Sequence, residues 1–106
     1  MTEDRPLLDT LADMTAASVA RSDLAARELM LVRVAGLIAV DAPPASYLLN
    51  LGPALDSGLT LEDAQSVLVT LAPIVGGPRV VAAAANIGSA LGLALAIEDA
   101  LDAEGT

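Results

Sequence analysis

Eighteen consecutive residues, Val80 to Ile97 ("VVAAAANIGSALGLALAI"), carry no charge and lie between Arg79 and Glu98. No other stretch limits the fold as strongly. The run is close to the ~17–25 residues of a membrane-spanning helix. Asn86 and Ser89 interrupt it, however, and alanine anchors weakly in a bilayer. The sequence therefore points to a helix buried within a soluble assembly, with a membrane helix as the alternative and no membrane partner expected.

Elsewhere the helical period recurs, without clear strand alternation. Pro6 suits a first helical turn, and Leu7, Leu8, Leu11, Met14 and Val19 follow at helical spacings. This helix is expected to fade near Ala20. Ser22 or Asp23 can cap a second one, running to about Val40, where Asp41, Pro43 and Pro44 stop it. From Leu29 to Val40 it is apolar almost all round, which predicts burial on several sides.

Pro44 can open a third helix, with Pro53 inside it and a kink expected near Asn50 to Gly52. Gly58 fits the left-handed position after a helix, and Thr60 with Asp63 forms a capping-box pattern for helix four. Pro73 and Gly76 to Pro78 break the chain again. The fifth helix is expected from about Pro78 to Leu101. Its C-terminal acids, Glu98, Asp99, Asp102 and Glu104, oppose the helix dipole, so its last turn should fray. The sum is one all-α domain over residues 1–106, with five to six helices and a core over about 24–101.

The 106 residues include no cysteine and no histidine. Thiol redox chemistry, disulfides, histidine acid–base catalysis and the commonest zinc and haem ligands are thereby excluded. No cofactor or metal is called for. Glu62 and Asp63 form an acid pair, but in a helix first turn, where negative charge is stabilising anyway. The net charge is −9, which repels a phosphate backbone, and Tyr47 is the only aromatic residue. Nucleic acid is not an expected partner. Alanine, leucine and valine make a thin core, so association should add buried area. The acidic N-terminus "MTEDRPLLDT" has no basic region before an apolar segment, which points to a cytoplasmic chain.

Two stretches, "ARELMLVRVAGLIAV" and "LLNLGPALDSGLTLEDAQSVLVTLAPIVGGPRVVAAAANI", carry a resemblance. With the turn at Ala54 to Asp63 as their most specific part, they resemble the carboxymuconolactone decarboxylase family, which includes the alkyl hydroperoxidase D-like proteins. The likeness spans Leu24 to Ile87. It implies an all-helical fold and a homo-oligomer, trimer or hexamer. In redox members a Cys-x-x-Cys opens the third helix and a histidine precedes the turn glycine. Here those positions fall near Pro43 and Ser46, and at Asn50. The resemblance therefore implies a member that has lost thiol redox chemistry.

Few polar residues remain as candidates. Asn50 either orients a substrate in the family's pocket or satisfies backbone groups freed by Pro53. Glu28 matches the family's acidic position, or is an exposed residue paired with an arginine. Arg33 stands alone in an apolar helix and needs a partner: Glu28, an acid on another subunit, or an anionic ligand. Tyr47 can offer a hydroxyl to a pocket or pack in the core. The reading is a non-catalytic, oligomeric or small-ligand-binding protein, the ligand held by Tyr47 and Asn50. The alternative is a cofactor-free lyase acting on a small carboxylic acid through Glu28, Arg33 and Asn50. In either case no residue can form a thiolate, so the chain is expected to be inert in thiol-dependent peroxide reduction. Peroxide turnover with a dithiol donor, above a buffer blank, would show otherwise.

Overall fold

The computed structural model describes residues 5–105, with side chains over 5–102. Five helices follow one another: α1 Arg5–Arg21, α2 Ala26–Ala39, α3 Pro44–Asp56, α4 Leu61–Val75 and α5 Gly77–Gly105. No strand occurs among the described residues. Helix α3 packs on α5, α4 on both α2 and α5, and α2 on α3 and α5. Helix α1 buries none of its residues.

The α2–α3 and α3–α4 connections use one device. At the end of α2, Asp41 adopts a left-handed φ of 57°. Its amide donates to the Ile38 carbonyl, and the Ala42 amide reaches back to Leu37 at 3.0 Å. At the end of α3, Gly58 has φ +88°, its amide donates to Leu55, and the Leu59 amide reaches Ala54 at 3.0 Å. Both are Schellman motifs, which satisfy carbonyls that a helix end would leave bare. Ala54 and Leu59 also bury together with Met30, the apolar contact that accompanies the motif.

Immediately after Gly58 the capping box closes. The Asp63 amide donates to Thr60 Oγ1, and the Thr60 amide donates to Asp63 Oδ2 at 2.8 Å. Arg27, in the first turn of α2, then clamps the corner. Its guanidinium donates to both oxygens of Asp63, at 2.9 and 2.7 Å, and to the Gly58 carbonyl at 3.2 Å.

The main core holds Ile38, Ala42, Tyr47, Ala83 and Ala90. Ala83, Ile87 and Ala90 recur at helical spacing, so α5 turns one narrow stripe inward. Alanine there lets backbones approach closely. The polar atoms of α5 also have work: Asn86 Nδ2 donates to the Ala42 carbonyl, and Arg79 to the Ala39 carbonyl. Arg79 covers the carbonyl end of α2, where a cation is favoured, and Asn86 ties down the loop that follows.

Several expectations are corrected. Helix α2 is capped by neither Ser22 nor Asp23: it starts after Ala25, with no side-chain cap. The Ser22 hydroxyl instead accepts from the Leu24 amide in a local turn. Pro73 does not break α4, which runs on to Val75. Pro73 and Val69, whose carbonyl it frees, both lie on the exposed side, where solvent can serve that carbonyl. The break comes at Gly76, with φ 95°. Helix α5 continues past Leu101 to Gly105, and Thr106 lies outside the described residues. Helix α2 is not buried on several sides, since Val32 and Val40 are exposed. Nor is α5 buried within one chain: Val81, Leu93, Leu95 and Ile97 face outward. Over Gly77–Asp102 it is long and apolar enough to cross a membrane, the one such helix among the described residues.

The Arg27–Asp63 clamp carries a pH signature. The guanidinium hydrogen bond, then the Thr60 amide, hold the Asp63 carboxyl well below the usual carboxylate range. A lowered folded value stabilises fully above the ordinary aspartate value of ~3.9 and is lost as pH falls from there toward the folded value. Asp63→Asn is therefore expected to lower the melting temperature at pH 7 and to cost less at pH 3. Denaturant melts at both values check this, and an equal loss at both would unlink the carboxylate from folding.

Candidate functional site

A groove of about 350 Å³ lies between α3 and α5 beside the core. Tyr47, Asn50, Leu51 and Ala54 line it from α3, one helical face at helical spacing. From α5 come Ile87, Ala90, Leu91, Ala94, Leu95 and Glu98. Val34 and Leu37 of α2 and the first turn of α4 complete it. The space exists because four of the lining positions, Ala54, Ala64, Ala90 and Ala94, are alanine. The clamp at Gly58 and Asp63 sets the corner from which Leu59, Thr60 and Leu61 reach the groove.

Polar groups are few. Asn50 Nδ2 donates to the Ser46 carbonyl at 2.9 Å. That carbonyl belongs one turn back on the same helix and is not the one Pro53 frees, which is Leu49. The expectation that Asn50 repairs the proline site is thereby corrected. The contact also fixes the amide: a carbonyl only accepts, so the NH₂ must face Ser46 and Oδ1 must face away. No group among the described residues donates to Oδ1. Tyr47, Thr60 and Glu98 are the other lining residues with a polar side-chain group.

Tyr47 is 7% exposed, and its hydroxyl is shielded with no hydrogen-bond partner among the described residues. Burial, and secondarily the charge of Asp41, push its pKa up, so the phenol stays protonated. No hydrogen-bonded pair of titratable groups lines the groove, and no three metal-ligating acids cluster among the described residues.

The other sequence candidates lie elsewhere. Glu28 is exposed on α2, and Arg33 is half-buried outside the groove lining. Arg33 is therefore not deeply buried, and it forms no ion pair with Glu28 or any other acid among the described residues. Its long stem can lie along apolar surface while its head stays in water, which removes the need for a partner. Of Glu28, Arg33, Asn50 and Tyr47, the fold brings only the last two together. Two residues that matter escaped the sequence reading. Arg27 lies 36 positions from Asp63, and no local pattern connects them. Glu98 reads from sequence as an acid opposing a dipole, yet it is one of the residues that line the groove.

Comparison with family models, with curated proteins and with solved structures finds no match for this chain. The groove must be read from its own chemistry.

The unpartnered phenol gives a direct test of the packing. A buried polar group left unbonded costs about 1–3 kcal/mol. Tyr47→Phe removes the oxygen and keeps the ring, so it is expected to raise the melting temperature of the ligand-free protein. A lower melting temperature by calorimetry would show that the hydroxyl has a partner in solution.

Proposed function

We propose that this chain is a non-catalytic, self-associating binding protein that holds a small, mainly apolar molecule between α3 and α5. The groove carries this reading: about 350 Å³, walled by aliphatic side chains with a few polar groups, is within the range of small-molecule sites. We propose further that the chain is a carboxymuconolactone decarboxylase-like protein without its thiol chemistry. Support comes from the stretch that carries the resemblance, Ala54 to Asp63, which forms a tightly bonded helix–turn–helix corner. The lyase alternative has no such support, since Glu28 and Arg33 stand apart from the groove.

Self-association is supported by two unpartnered stripes. Leu7, Leu8, Leu11 and Met14 are exposed along α1, and Leu93, Ile97 and Leu101 along the far half of α5. At roughly 100 Å² each, these seven side chains offer about 700 Å² per copy, close to the ~800 Å² that each partner brings to a standard interface. The radius of gyration, 15.1 Å, exceeds the ~13 Å of a compact chain of this length, as a projecting α1 requires. A second copy is the proposed cover for both stripes, in a cytoplasmic trimer or hexamer.

Sedimentation without detergent is expected to give a multiple of 10.6 kDa, and a monomer at high concentration would refute the assembly. Nile red, a neutral apolar dye, is expected to saturate one site per chain. Ala94→Trp, which fills the groove, should abolish that signal while leaving helicity intact. An unchanged titration in the filled variant would place the dye elsewhere and remove the groove's claim to function.

A further inference from the structure

We infer that the groove selects a lipophilic amine, an apolar body with a protonated head, over the carboxylic acids that the family resemblance brings to mind. The inference rests on the groove being a ligand site and adds the chemistry of its occupant.

The lining contains no cation. Arg27 is committed to Asp63 and Gly58, and Arg79 to the Ala39 carbonyl. Arg33 does not reach the lining. A carboxylate entering the groove would lose water and gain no countercharge, and an unpaired charge in an apolar site is disfavoured. What the groove offers instead is acceptors. Asn50 Oδ1 is turned away from Ser46 by its own amide bond and carries no hydrogen bond among the described residues. Asn50 is half-buried and belongs to the largely apolar lining of the groove. Glu98 adds a full negative charge among the lining residues, on the exposed part of α5.

An ammonium donates three hydrogen bonds and accepts none. It therefore suits a lining whose polar groups are an amide oxygen and a carboxylate, while its chain lies against Leu51, Leu91 and Leu95. The net charge of −9 raises the local concentration of cations around the whole molecule. An alcohol can use Asn50 but gains nothing from Glu98, so it should rank between the amine and the acid.

The test is displacement of Nile red from the full chain at pH 7 by octylamine, 1-octanol and octanoate, which share one chain length. Octylammonium is expected to bind best and octanoate worst, with at least about tenfold between them. Glu98→Gln, an exposed change that leaves the fold intact, should weaken octylammonium by about two- to fivefold and leave 1-octanol unchanged, the range of an exposed charge pair. Rising salt should narrow the gap between amine and acid. Octanoate binding as tightly as octylammonium, or 1-octanol binding more tightly than either, overturns the inference while the groove remains a binding site. So does Glu98→Gln with no effect on the amine. Failure of Nile red itself to bind removes the binding reading and this inference together.

Discussion

The corner between α3 and α4 holds the rest of the molecule in register. Three devices that share Gly58 and Asp63 meet there within a few residues: a Schellman motif at Gly58, a capping box at Thr60 and Asp63, and the two-pronged grip of Arg27. Each satisfies backbone or side-chain groups that the turn would otherwise leave bare. Arg27 matters differently from the other two. Capping joins α3 to α4, whereas Arg27 attaches a third helix, α2, to their junction, beside the apolar contact of Met30 with Ala54 and Leu59. The guanidinium is planar, so its fork sets direction as well as distance. With α2 fixed at its first turn, Val34 and Leu37 fall opposite α5, and the floor of the groove follows.

The second constraint is the poverty of large side chains. A core of alanine and aliphatic residues draws helices close where alanine meets backbone and leaves space where nothing large faces it. Helix α5 shows both outcomes along its length. Ala83 and Ala90 are buried against other helices. A turn further on, Ala94 faces nothing large and the groove opens. The same economy leaves α1 with no residue buried and half of α5 bare. Marginal domains of this size have little stability to spare, so area gained by association carries unusual weight.

This also explains what the sequence could and could not disclose. The corner was legible because its signals are local: Gly58, Thr60 and Asp63 lie within six positions and each has a short-range geometric role. Helix number and class were legible for the same reason. Apolar periodicity misled where it was equated with burial. The run from Leu29 to Val40 and the run from Val80 to Ile97 each bury one stripe only, because one chain supplies too few neighbours to cover them. The groove was half legible. Tyr47 and Asn50 were found as polar residues on an apolar helix, whereas Glu98 reaches the groove through the crossing of α3 and α5, which no pattern in the chain encodes. Arg33 was misjudged by treating a charge in an apolar helix as necessarily buried.

Asn50 and Tyr47 illustrate two ways in which a nearly apolar site can keep its polar atoms. Asn50 satisfies its NH₂ on its own helix, at Ser46, and leaves Oδ1 without a donor among the described residues. Tyr47 resolves nothing: its hydroxyl is shielded and unbonded, a local inconsistency in a fold that otherwise satisfies its ends with care. Such an inconsistency persists only where the ring itself is needed. Tyr47 is the single aromatic side chain, and no aliphatic residue fills the space between Ile38, Ala42 and Ala90 as a flat ring does. Tyr47 thus gives the groove lining a buried aromatic residue, and Glu98 gives it an exposed acid.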